Sequence, residues 1–168
     1  MEYVILPKLR FTVKRDTSLK NAEKLVEPEA VDKMLKTHFG NSDREMTGVV
    51  CLDKTCKAVA LFITGLGGSD NCSVSIRDMC RELLLCGAER FIFFHTHPAG
   101  TCVPSKHDVE VTDMIGKAAA VLGLRFDDHI IIANDSDEYY SFAEKDRLKY
   151  EAVRYTDDID QVVIGKLL

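Results

Sequence analysis

Phe91-Ile92-Phe93-Phe94-His95-Thr96-His97-Pro98 is the stretch on which the reading of this chain turns. Its first four residues form a short, continuous apolar run, the pattern of a central strand buried on both faces. Such strands lie between helices, and here one helical pattern precedes the run and another follows it. His95 and His97 stand two apart, and side chains on an extended chain repeat every second residue, so both imidazoles project from one face. They fall where the strand runs out into Pro98-Ala99-Gly100, the carboxyl end at which layered α/β sheets carry their sites. Asp108, eleven positions after His97, can fold back to complete a three-ligand set. Two imidazoles, one carboxylate and an open fourth position compose a catalytic zinc site, since structural zinc sites usually close all four positions.

Upstream, Pro28 opens a helix with Val31, Met34, Leu35 and His38 at helical spacing, stopped by Gly40. Gly48–Leu52 and Ala58–Thr64 read as strands of a hairpin around Asp53-Lys54. Gly65-Leu66-Gly67-Gly68-Ser69-Asp70-Asn71 is glycine-rich but lacks the Lys-Ser/Thr ending of a phosphate-binding loop, so its glycines are read as a tight crossover. A helix over about Ser73–Cys86 carries Ile76, Met79, Cys80, Leu83 and Leu84 on one stripe and ends at Gly87. Downstream, a helix from Ser105 to Leu122 stops at Gly123, with Thr112, Ile115, Gly116 and Ala119 as a small-residue face for close packing on a sheet. Ile130–Ala133 and Tyr139–Phe142 read as strands joined by Asn134-Asp135-Ser136-Asp137. Residues 3–15 read as an extended N-terminal segment, and 143–168 as a charged extension with an apolar end, Val162-Val163-Ile164. The expectation is one domain over 1–168 with a core at about 28–144, built as a mixed sheet between helices.

At 168 residues the chain is long enough to bury a real core. Its 46% hydrophobic and 29% charged residues are ordinary for a soluble globular protein. No apolar run reaches the roughly 18 to 20 residues that span a bilayer. Met1-Glu2-Tyr3-Val4-Ile5-Leu6-Pro7 lacks the basic start of a secretory signal, so a cytoplasmic location without a membrane partner is expected. Cysteines at 51, 56, 72, 80, 86 and 102 show no CxxC pair. Most sit in apolar segments as small hydrophobes, and no disulfide framework is expected. Cys102 lies between His97 and Asp108, which leaves a fourth-ligand or redox role open, although a closed site would forfeit the catalytic water. The net charge of −5 argues against a large nucleic-acid footprint. Residues 1–24, with six Lys/Arg against three Asp/Glu, are either a basic arm for phosphates or an acidic partner, or a solvated surface. Residues 135–160 carry nine acidic against four basic side chains.

Asp108 has a second reading. Ser105-Lys106-His107-Asp108 has the spacing of a helix capping box, in which the serine caps and the acid answers from the third helical position. The two readings are compatible, because a carboxylate on the first helical turn is rigidly placed. His107 is a competing ligand that points away from Asp108 on the helix. Metal-assisted hydrolysis also needs a general base outside the ligand set. Glu45, in Asp43-Arg44-Glu45-Met46 just before the strand at Gly48, is the candidate; its other reading is a solvated acid at a strand start.

These residues resemble the JAB/MPN metalloenzyme family, specifically its RadC-like branch. The resemblance is carried by His95-Thr96-His97-Pro98, Ala99-Gly100, Pro104-Ser105 and Asp108, with Arg44-Glu45 and Leu52-Asp53 upstream. Arg77-Asp78, Leu122-Gly123-Leu124, Asp128-His129-Ile130-Ile131-Ile132 and Tyr140-Ser141-Phe142 extend it over roughly residues 28–144. It implies a three-layer α/β fold related to cytidine deaminases. It implies one zinc per chain on His95, His97 and Asp108, Glu45 as general base and acid, and Ser105 as a stabiliser of the oxyanion, beside its reading as a helix cap. Asp128-His129 is read as structural support near the sheet end, with a role behind the metal ligands left open. The chain departs from the family in showing no helix-hairpin-helix pattern over 1–40. It also carries Thr101-Cys102-Val103 where an acid and prolines are usual. The implied function is a zinc-dependent hydrolase cleaving a peptide, isopeptide or other amide bond, in a family associated with DNA repair. The alternatives are a nucleic-acid- or protein-binding module in a DNA-repair or mobile-element context, and a nuclease. Two imidazoles favour zinc over the oxygen-ligated magnesium of many nucleases.

Overall fold

The structure is a computed structural model that describes residues 24–67, 74–98, 100–134 and 136–148. The expected extended segment over 3–15, residues 68–71 of the glycine-rich loop and residues 149–168 of the extension lie outside the described residues. In chain order the elements are α1 (Pro28–Phe39), β1 (Met46–Leu52), β2 (Ala58–Leu66), α2 (Ile76–Leu85), β3 (Arg90–His97), α3 (Lys106–Leu122), β4 (Arg125–Ala133) and β5 (Tyr139–Ser141).

The apolar run forms the central strand of a five-stranded sheet ordered β2-β1-β3-β4-β5. β3 pairs antiparallel with β1 and parallel with β4, while β2 and β5 close the sheet through antiparallel neighbours. The parallel pair needs a long crossover, and α3 supplies it. Alternation along β3 sorts its side chains onto two cores. Phe91 and Phe93 pack with Met79, Leu83, Val111 and Ile115 of α2 and α3. Ile92 and Phe94 pack with Val31 and Leu35 of α1 and with Ile130 and Ile132. The result is a three-layer α/β architecture with α1 on one face of the mixed sheet and α2 and α3 on the other. Continuing the alternation puts His95 and His97 on the α3 face and Thr96 on the opposite one.

Helix ends follow the residues that mark them. Ser105 caps α3 in a full capping box with Asp108, and Gly123 terminates it at φ 66°, the left-handed conformation glycine adopts freely. Strand ends are less faithful to local pattern. β1 starts at Met46 and β2 runs to Leu66, because their ladder continues past the apolar stretch to Met46↔Leu66. β4 begins at Arg125 rather than Ile130, since its polar first half is internally paired. Arg90 grips Asp127 through two nitrogens at 2.7 and 2.9 Å. Among the described residues, Cys51, Cys56, Cys80, Cys86 and Cys102 are free thiols, and no helix is long and apolar enough to cross a membrane.

Gly48 in β1 lies under the ring of its cross-strand partner Phe94. A Cβ there would sit 2.5 Å from Phe94 Cζ and 2.8 Å from the Phe62 carbonyl oxygen, which is backbone and cannot swing aside. Gly48→Ala is expected to cost about 1–3 kcal/mol, the usual cost of overpacking a core. Thermal unfolding checks it: an unchanged midpoint would mean that the two strands separate freely at this point.

Asp128 fastens β4 to β5. Its carboxylate is buried and accepts from His129 N at 2.7 Å, Ala143 N at 2.9 Å and Ser141 Oγ at 2.5 Å. Burial outweighs those three donors and pushes its pKa up to about 6. A raised folded-state pKa stabilises the fold fully below the unfolded value of about 3.9, and that stability is lost as pH rises through the folded value, on the order of 3 kcal/mol in all. Burial holds His95 and His129 below the ordinary histidine range, so they act in the opposite sense as pH falls. The difference between the native chain and Asp128→Asn isolates the carboxyl: the variant is expected to gain relative stability between about pH 4 and 7. A pH-independent difference in denaturant titrations would contradict this.

Candidate metal centre

Three pieces of chain meet at the carboxyl end of β3. β3 itself delivers His95 and His97. The first turn of α3 delivers Asp108. The segment entering β1 delivers Glu45, because Thr47 pairs antiparallel with His95 and the residue two positions earlier therefore falls beside His97. One ligand atom from each of Glu45, His95, His97 and Asp108 lies within 4.8 Å of all the others. His95 and Asp108 are buried; Glu45 and His97 are half-buried at the mouth.

Each donor is held from behind. Thr96, on the opposite face of β3, donates its hydroxyl to the Arg44 carbonyl at 3.2 Å and accepts from Met46 N at 3.0 Å. Gly67 N donates to the Glu45 carbonyl at 2.9 Å, and Asn134 Nδ2 donates to the Ser42 carbonyl. Glu45 therefore stands on a backbone fixed at several points. Asp108 does both things its position allows. Oδ2 accepts from Ser105 N at 2.6 Å in the capping box, while Oδ1 lies 3.5 Å from His95 Nε2 and Oδ2 3.8 Å from His97 Nε2. The two Nε2 atoms approach to 2.7 Å. His97 Nδ1 donates to the Thr101 carbonyl at 2.7 Å. His95 Nδ1 contacts His129 Nε2 at 2.8 Å, and His129 Nδ1 contacts Thr112 Oγ1 at 2.6 Å.

The electrostatics match a cation site. Burial drives the His95 imidazole down to about 3, against the pull of the Asp108 carboxylate. The Glu45 carboxyl is raised above the ordinary glutamate range, first by burial and then by the charge of Asp108, with His97 opposing. Two imidazole nitrogens and two carboxylates form a mixed nitrogen and oxygen donor set that could hold a divalent metal ion.

Of the residues singled out in the sequence, Glu45, His95, His97 and Asp108 are brought together. Ser105 adjoins them through the cap, its Oγ accepting from Asp108 N at 3.2 Å. His107 is not among the converging donors, as its place on the helix next to Asp108 anticipates. Nor is Cys102, which is buried against Ile131, Ala133 and Phe142 with its thiol donating to the Glu138 carbonyl at 3.1 Å. Thr112 reads in the sequence as packing surface, yet its hydroxyl enters the polar network behind His95. No local pattern marks it, because its partner there, His129, comes from β4.

The RadC-like JAB domain matches residues 25–148, from the entry to α1 through the end of the described chain. A UPF0758 protein of Histophilus somni (strain 2336) is 32% identical over 127 residues, covering 76% of this chain and 56% of its own length. One from Psychrobacter sp. (strain PRwf-1) is 30% identical over 129 residues, covering 77% and 56%. A third, from Thermotoga maritima, is 30% identical over 126 residues, covering 72% and 56%. The chain thus spans about half the length of the curated relatives it matches. With the family match running through every described strand and helix and through all four converging donors, the chain belongs to the RadC-like JAB domain family.

Proposed function

We propose that this chain is a zinc-dependent hydrolase that cleaves an amide bond, with a peptide or isopeptide as the substrate class. The observation that carries the reading is the convergence of Glu45, His95, His97 and Asp108 at the carboxyl end of the central strand. His95, His97 and Asp108 would hold the ion. Two imidazoles favour zinc or a similar transition metal over magnesium, which takes oxygen ligands and argues against a nuclease. When bound, zinc supplies a water whose pKa falls from about 15.7 to about 7, and a Lewis acid that polarises a carbonyl. Glu45 takes the proton of the attacking water on its carboxylate and hands it to the leaving amine; its raised pKa makes it a stronger base in the first of these steps. Ser105 accepts the cap bond through its oxygen and keeps its own proton for the oxygen on which charge develops. Asp108 keeps its place whether or not substrate is present, because its capping bonds are made within α3.

Elemental analysis of protein prepared without added metal tests this, together with a panel of peptide and isopeptide reporters. About one zinc per chain is expected, with metal and hydrolysis both lost in His97→Ala. Protein free of transition metal after preparation and after zinc addition would refute the assignment.

A further inference from the structure

The contacts behind His95 form a directed chain. A backbone carbonyl accepts and never donates, so the Thr112 hydroxyl proton goes to the Asp108 carbonyl, 2.6 Å away. The Thr112 oxygen then accepts at 2.6 Å from Nδ1 of His129. His129 is fully buried, stacked on Phe142 at a centroid separation of 4.6 Å and edge-on to Phe93 at 4.8 Å. An apolar enclosure of this kind favours the neutral ring, and a neutral ring protonated on Nδ1 has a bare Nε2. That Nε2 accepts from His95 Nδ1 at 2.8 Å. The same rule, applied once more, leaves His95 Nε2 without a proton.

We infer that Thr112 and His129 are positioning residues that lock His95 in its Nδ1–H tautomer and aim its Nε2 lone pair at the metal centre. The polarity of the whole chain is set at its far end by the main-chain oxygen of Asp108. Asp108 thus acts twice, through its carboxylate as a donor and through its carbonyl as the anchor of the neighbouring donor. The Thr101 carbonyl does the same directly for His97. The two Nε2 lone pairs then face each other at 2.7 Å, an arrangement that a cation between them relieves. A metal ligand whose second nitrogen donates to a fixed acceptor is oriented and made more basic; here the fixed acceptor is two residues removed from the carbonyl that controls it. The purpose of the lock rests on the zinc reading, whereas its geometry does not.

Long-range proton–nitrogen correlation spectra of the metal-free full chain, labelled on histidine nitrogen, read the tautomers directly. In the native chain, His95 and His129 are expected to carry their protons on Nδ1. Thr112→Val keeps the shape of the side chain and removes its hydroxyl. It should mix the tautomers of both rings and weaken zinc binding, measured by chelator competition, about 10- to 100-fold. Thr112→Ser should restore both readouts, and His129→Gln, which can accept and donate at similar positions, should recover part of the affinity that His129→Leu loses. A native His95 protonated on Nε2 overturns the inference by itself, even should a variant fail to fold. So does Thr112→Val with native tautomers and native affinity. If the native chain takes up no zinc, the hydrolase reading falls while the tautomer spectra still decide the lock.

Discussion

Glu45→Gln is expected to keep the full metal content of the native chain and to lower amide hydrolysis about 10²–10⁴-fold, the range for loss of a positioned general base. Glu45 lies outside the three residues assigned to the ion, yet its carboxylate is within 4.8 Å of their ligand atoms. The antiparallel register of β1 on β3 puts it beside His97, and Thr96 and Gly67 hold its backbone there. Glutamine matches glutamate in size but cannot take a proton from water, so the shape of the centre survives while proton transfer stops. Metal content and turnover measured on one preparation separate the two effects. Undiminished turnover would show that another group carries the proton; loss of metal would make Glu45 a ligand.

The second large effect is expected from Asp108→Asn, which separates two roles of one side chain. As the third helical residue, Asp108 accepts from Ser105 N through Oδ2. An asparagine oxygen can accept the same bond, so α3 keeps its cap, and stability should stay within about 1 kcal/mol of the native chain, given that losing a cap outright typically costs about that much. The negative charge shared by His95 and His97 disappears, and metal occupancy and hydrolysis should fall to background. Asp108→Ala should lose in addition the bond from Ser105 N to the carboxylate, leaving only the Ser105 Oγ half of the capping box. An asparagine variant with native metal content would assign this side chain to the cap alone.

Much of this architecture is legible in the sequence where a physical rule acts locally. The continuous run Phe91–Phe94 marks a strand covered on both faces, and helices lie on both. Ser105, Asp108 and Gly123 mark the ends of α3 because caps and left-handed turns are chemistry of adjacent residues. The period of two explains why His95 and His97 share a face. What escapes local reading depends on distant pairing. Arg125–His129 looks too polar for a strand until Arg90 neutralises Asp127 and Ser141 takes up Asp128. Glu45 reads as an ordinary acid at a strand start, and only the Thr47↔His95 register brings it to the histidines. The network behind His95 is the least legible part. It requires His129 to lie beside Phe93 in the parallel ladder and Thr112 to arrive from the crossover helix.

The hydrolase reading stands on His95, His97 and Asp108 holding a single ion. Anomalous diffraction from crystals of the protein prepared without added metal, recorded on both sides of the zinc absorption edge, tests it most directly. One zinc-specific peak per chain is expected at about 2.0–2.2 Å from both Nε2 atoms and an Asp108 carboxylate oxygen. A zinc peak bound elsewhere, or zinc-soaked crystals with no peak between those side chains, would contradict it.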